Sequence, residues 1–231
     1  MLSASTSSAG DKAYLLRLSR HGPLSEADVL TLEARLGRTG AYAAGQSLGL
    51  TGATPLFLVS GWACLSQSLK DGRRQILAFL LPGDGVGFDL LTRAQRAIEA
   101  TALTPVRVRF AERGFDAAME RLARHFAGAA AAQQSRLLDH VVRLGRQTAY
   151  ERMAHLLLEL YGRLAEIGET QGDSFQLPIK QEVLADALGL SLVHVNRTLQ
   201  QMRRDGLIDM RGARMTLLDR SALQAACGLG D

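Results

Sequence analysis

No run of eighteen apolar residues occurs in this chain, so no segment reads as a membrane-spanning helix. Cysteine is scarce: Cys64 and Cys227 stand far apart and show neither a disulfide framework nor a metal-ligand spacing. An iron–sulfur centre, which needs clustered cysteines, is therefore not expected, and a reducing cytoplasm is the expected setting. No histidine lies between Gly22 and Arg124, which removes the His and Glu set of a metal-holding barrel enzyme. No glycine-rich phosphate loop or nucleophile motif is present. The start, Met1 to Lys12, lacks the charged opening and apolar block of a signal peptide. Rich in Ser, Ala and Gly, it reads as the beginning of a flexible arm over residues 1–21. Charge of one sign is also modest: the net value of +4 permits a nucleic-acid partner without identifying one.

What is present is enough apolar sequence, 47%, to bury real cores. From Ala44 to Phe110 the punctuation is that of short antiparallel strands. Pro55 to Ser60 is an apolar run closed by Gly61. Trp62 to Leu69 follows, with Ala63, Leu65 and Leu69 expected on one face. Asp71-Gly72 between two such runs is a hairpin signal, because the turn needs positive φ. Gln75 to Leu81 returns and stops at Leu81-Pro82-Gly83-Asp84-Gly85. Val106, Val108 and Phe110 then alternate with Arg107 and Arg109. Strands at this spacing predict a jelly-roll or sandwich rather than a parallel sheet.

The texture changes near Phe115. Ala117 to Leu144 has no proline and many helix formers. Ala130, Gln134, Leu137, Val141 and Leu144 step by four, three, four and three, the spacing of a coiled-coil seam. Such a seam needs a second copy of the helix, so a homodimer is expected. A helix buried within its own chain is the alternative. Leu138 and Val142, beside the seam, are expected to face the chain's own core. A second amphipathic helix runs from about Arg146 to Ile167, followed by a polar loop, Gly168 to Asp173.

Gln181 to Leu188 is a short amphipathic helix that Gly189 ends. Ser191 caps the next, which reaches about Asp205 with Val195, Leu199 and Met202 inward. Two short helices on a tight glycine turn make a helix-turn-helix. Leu207 to Asp209, the turn Arg211-Gly212-Ala213, and Met215 to Leu218 make a wing, and Asp219 caps a last helix. The second helix is the one that enters a major groove. Val193, His194, Asn196 and Arg197 occupy its outer N-terminal surface. Arg suits the guanine O6 and N7 edge, and Asn the adenine N6 and N7 edge. Between Leu177 and Arg220 seven Lys and Arg face five Asp and Glu, too small an excess to identify DNA binding by charge. The pattern identifies it.

Three stretches resemble the Crp/Fnr family of bacterial regulators. LFLVSGWACLSQSLKDGRRQILAFLLPGD, Leu56 to Asp84, resembles the family's barrel hairpin. RLGRQTAYERMAHLLLELYGRL, Arg143 to Leu164, resembles the end of its dimerisation helix and the helix after it. IKQEVLADALGLSLVHVNRTLQQMRRDGLI, Ile179 to Ile208, resembles its helix-turn-helix. The resemblance implies a cyclic-nucleotide-binding-like barrel, a homodimer and a pseudo-palindromic operator. Arg197 matches the family's recurrent arginine. Leu192 and Val193 stand where the family often has an acidic residue or arginine, and Lys180 where its first helix often begins with Thr. The family's cyclic-nucleotide binders carry Gly-Glu and then Arg-Ser or Arg-Thr. Here the stretch is Gly87-Phe88-Asp89 and Arg96-Ala97, shortened. Gly87, Asp89 and Arg96 are the candidate effector pocket, and cyclic-nucleotide binding is not expected. Haem stays open, with His21, His125 and His140 as single candidates, each expected on a helix surface. Cys64 is expected to be a buried, inert thiol.

The expectation is therefore an α+β chain. An antiparallel jelly-roll sensor barrel spans residues 22–116, a dimerisation helix 117–146 and a winged helix-turn-helix domain 147–231. Its partners are double-stranded DNA and a second copy, with RNA polymerase a further candidate. Lys180, Gln181 and Ser191 join Val193, His194, Asn196 and Arg197 as DNA-binding residues. A sensor that binds no DNA, or a metal-free barrel enzyme, is the alternative.

Overall fold

Ser25 starts a helix because its hydroxyl accepts the Asp28 N–H while the Asp28 carboxylate accepts the Ser25 N–H, at 3.2 and 3.0 Å. This is α2, Glu26–Arg35; α1, Ala13–Ser19, precedes it. A computed structural model describes residues 12–49, 54–87, 98–112 and 117–228. The chain divides into two compact units, Met1–Cys64 with Phe79–Gln134, and Leu65–Ala78 with Ser135–Asp231. The second unit thus takes a hairpin tip from the middle of the barrel sequence, where contiguous segments were expected.

The strands of the barrel are β1, Leu36–Tyr42; β2, Leu56–Ser60; β3, Ala63–Ser68; β4, Arg74–Leu80; β5, Gly85–Val86; β6, Ile98–Ala102; and β7, Val106–Ala111. They form two sheets, ordered β1-β7-β2-β5 and β4-β3-β6. The pairs β1·β7, β2·β7 and β2·β5 are all antiparallel. β2 is buried along nearly its whole length, and β7 buries Val106, Val108 and Phe110 as its alternation predicts. In β3 the face expected of Ala63, Leu65 and Leu69 is buried only at Ala63. Ala63, Cys64 and Ser66 of β3 are all buried, as is Trp62 just before it, while Leu65 is half-buried and Leu69 is exposed. Asp71-Gly72 does make the β3–β4 turn, with Gly72 at positive φ.

The arm expected over 1–21 is helical from Ala13 onward. Tyr14 and Leu18 of α1 are fully buried with Leu32, Leu36, Phe57, Ala111 and Leu122. The Tyr14 ring lies 5.1 Å from that of Phe57. Its hydroxyl donates to Glu33, and Arg109 reaches the same carboxylate at 2.7 Å. Burial would raise the Glu33 pKa, but hydrogen bonds from Tyr14 and Arg109 and the Arg109 charge hold it below the ordinary value. Gly83 lets the backbone approach α1: at φ +87, a side chain there would meet the Ala13 carbonyl oxygen at 2.6 Å.

One long helix, α3, Ala117–Arg146, runs from the first unit into the second. Thr148 and Glu151 form a reciprocal capping box that begins α4, Ala149–Ala165. The remaining elements are β8, Thr170–Gln171; β9, Ser174–Gln176; α5, Gln181–Leu188; α6, Leu192–Arg204; β10, Ile208–Arg211; β11, Arg214–Leu217; and α7, Arg220–Ala226. The four strands form one antiparallel sheet, β10-β11-β9-β8. The stretch expected as a polar loop therefore contributes β8, and β9 pairs with the wing. Met153, Leu156, Leu157, Leu160 and Leu164 bury the inner face of α4. Among the described residues no helix is long and apolar enough to cross a membrane.

Beside that apolar face lies a buried polar cluster. Arg143 of α3, 2% exposed, contacts Glu159 at 2.6 Å, and Arg163 contacts the other oxygen at 3.3 Å. Burial opposes ionisation of Glu159, but the two guanidinium charges prevail and lower its pKa. His140 and His155 stand in the same cluster. Burial, reinforced by Arg143, lowers both their pKa values, so both are neutral at pH 7. His140 is buried, not on a helix surface as expected. The covering surface is the β3–β4 hairpin, whose Gln75 amide lies 3.5 Å from the imidazole.

Candidate nucleic-acid interface

The recognition helix is positioned by local chemistry. α5 ends where Gly189 turns left-handed at φ +62 and its N–H returns to the Ala185 carbonyl. Two residues later Ser191 caps α6, its hydroxyl accepting the His194 N–H at 3.3 Å. Val195, Thr198, Leu199 and Met202 are buried. That packing fixes the rotation of α6, so Leu192, Val193, His194 and Arg197 are exposed and Asn196 is half-buried. The Asn196 amide donates to the Leu192 carbonyl at 3.2 Å, folded onto its own helix. Ser191 has a defined role as the cap. Lys180 is exposed at the N-cap of α5 and makes no capping hydrogen bond, and Gln181 is half-buried.

Several positioning residues carried no sequence signal. Arg74, on β4, pairs with Asp186 of α5 at 2.7 Å, and the neighbouring Gln75 donates to the Ala187 carbonyl at 3.2 Å. Arg152 of α4 donates to the Leu188 carbonyl at 2.9 Å, satisfying the end of α5. At the far end of α6, Tyr150 donates to Asp205 at 2.8 Å. The wing forms where expected, Ile208 opposite Leu217, but Arg211, expected in the turn, ends β10 opposite Arg214. Arg211 and Arg214 flank its tip, both exposed, an arrangement visible in the sequence as two arginines around Gly212.

The seam residues of α3 divide. Ala130, Gln134, Leu137 and Val141 are exposed. Leu144 is half-buried, with its methyl 3.4 Å from the position a side chain at Gly189 would take, so it turns toward its own helix-turn-helix. Leu138 and Val142 do not face the core as expected. They are exposed at 61% and 45%, because among the described residues no element covers that side of the helix. The apolar face is broader than a two-position seam.

Of the candidate effector pocket, Gly87 lies at positive φ, while Asp89 and Arg96 lie outside the described residues. No group of three or more His, Cys, Asp or Glu that could hold a metal occurs among the described residues. His125 is fully buried against the Leu18 carbonyl at 3.1 Å, again not on a helix surface. Cys64 and Cys227 are both buried and unbridged, and burial raises the Cys227 thiol pKa.

A jelly-roll unit, a long helix with an uncovered apolar face and a winged helix-turn-helix together define a DNA-binding transcription regulator. A family model described as Crp-like helix-turn-helix domain matches residues 151–226, and one described as cyclic nucleotide-binding domain matches residues 41–121. The nitrogen fixation regulation protein FixK of Azorhizobium caulinodans is 36% identical over 173 residues, covering 72% of this chain and 68% of that protein. The transcriptional activator protein FnrL of Cereibacter sphaeroides is 33% identical over 187 residues, covering 77% and 75%. The solved structure of FixK2 from Bradyrhizobium japonicum superposes with a TM-score of 0.71 at 27% identity, over 84% of this chain and 98% of that one. The chain belongs to the Crp/Fnr family of transcription regulators.

Proposed function

We propose that this protein acts in the cytoplasm as a homodimer, joined through α3, that reads a pseudo-palindromic operator with the N-terminal end of α6. The observation that carries this reading is the division of α6. Its inner face is buried, while Val193, His194 and Arg197 stand exposed together at the end that enters a groove. Arg197 reads a guanine edge, His194 and Asn196 tune neighbouring positions, and Lys180 and Gln181 hold phosphates. Asn196 must first release the Leu192 carbonyl. RNA polymerase is a further partner of such a regulator. The chain has no catalytic role in this reading, and neither cyclic nucleotide, iron–sulfur cluster nor metal is its resident effector. Haem remains a candidate to be tested by titration.

Binding to selected operator duplexes tests the assignment. Arg197→Ala should cost about 1–3 kcal/mol per half-site and relax preference at one base pair. Lys180→Ala should weaken all sequences alike and reduce the salt slope by about one unit for each phosphate that lysine had neutralised. A uniform loss in Arg197→Ala, with the selected motif unchanged, would make Arg197 a phosphate-binding residue. Absence of sequence preference in the native protein would favour a sensor that binds no DNA.

A further inference from the structure

Val193 is the most exposed of the large apolar side chains on the helix-turn-helix and wing, at 66%, and it stands at the second position of α6. The apolar needs of that helix are already met by Val195, Leu199 and Met202, so burial within the chain does not explain it. It lies one turn before Arg197 on the same face, a rise of about 6 Å. Leu192, 41% exposed, adjoins it. An isopropyl group offers no donor or acceptor, so it reads no polar base edge. The one apolar feature of the major-groove floor is the thymine C5-methyl group.

We propose that Val193 is a specificity-determining residue that selects thymine, through its C5-methyl, within two base pairs of the base read by Arg197. The inference rests on the proposed insertion of α6 into the major groove. Valine suits the task because its branched Cβ holds essentially one χ1 rotamer in a helix, so its methyl groups are fixed before they meet the base. Ser191 fixes the backbone they stand on by capping the first turn. Docking removes the thymine methyl and the valine methyls from water, a gain that depends on the methyl and on nothing else about the base.

The test uses the full-length protein and duplexes from a selected operator, altered one atom group at a time. Each thymine of a half-site is replaced in turn by deoxyuridine, which keeps every hydrogen-bonding group and lacks only the methyl. At one thymine, near the position whose preference relaxes in Arg197→Ala, affinity should fall about fourfold per half-site, the value of one buried methyl. Cytosine at that position should bind more weakly than 5-methylcytosine. Val193→Ala should abolish the difference between thymine and deoxyuridine while keeping the preference assigned to Arg197. Val193→Glu should move the selected base toward cytosine, whose N4 amino group donates to a carboxylate. Equal affinity for deoxyuridine and thymine at every position overturns the proposal, as does a methyl effect that survives in Val193→Ala. Either result leaves the groove reading by Arg197 intact. A native protein with no sequence preference overturns both.

Discussion

At the scale of single residues, the best-defined chemistry away from α6 is the buried cluster of Arg143, Glu159, Arg163, His140 and His155. Its burial pattern was not legible in the sequence, where each residue reads as a helix-surface polar group. Only packing shows that α4 closes over α3 on that side. Arg143→Ala leaves Glu159 buried with Arg163 alone and should cost about 3 kcal/mol, measured from urea unfolding midpoints. A loss below about 1 kcal/mol would show the pair to be solvated. The histidines give a pH dependence. Their folded pKa values lie below the unfolded value of about 6.5, so the unfolded chain binds more protons as the pH drops. Stability is therefore full above that value and declines as the pH falls below it, levelling once the folded pKa values are passed. Asp28, Glu33 and Glu159, whose pKa values are lowered, stay ionised in this window and do not contribute to the slope. The melting temperature should fall between about pH 7.5 and 5.5, either side of that unfolded value, and by less in His140→Gln. An unchanged slope in that variant would show that His140 does not contribute to the pH dependence.

Elements were legible where local chemistry fixes them. Gly189 after α5, Ser191 before α6 and Asp219 before α7 each sit where a cap must, and each cap is found in the structure. Asp71-Gly72 gave its hairpin for the same reason. Elements held by distant partners were not legible. α1 depends on Phe57 and Arg109, the latter 95 residues from Tyr14, and β1, with two glycines, has little apolar alternation. α2 was legible in principle: the Ser25 and Asp28 box is a local signal, obscured by the arm-like sequence before it. Leu137, Leu138, Val141 and Val142 are all exposed on one helix. In the proposed dimer, Val141→Glu would bring two like charges together in an apolar interface, at a cost of several kcal/mol. The variant should keep its helical circular dichroism, become monomeric by light scattering and lose operator binding. A folded variant that stays dimeric would place the dimer interface elsewhere.

For the whole molecule, family and fold class were readable from three stretches of sequence because the helix-turn-helix is specified by closely spaced residues. What was not readable is how the chain groups itself. The β3–β4 hairpin, sequence of the barrel, belongs by its packing to the unit of α5 and α6, through pairs such as Arg74 and Asp186, 112 residues apart. In the proposed dimer two such chains present two recognition helices to one duplex. Dimeric helix-turn-helix proteins space those helices by about 34 Å, one turn of DNA. In-vitro selection from random duplexes, with the purified full-length protein, tests it most directly. The enriched sequence should be an inverted repeat whose half-site centres lie one turn apart. A single unrepeated site, a direct repeat, or no enriched sequence would contradict it.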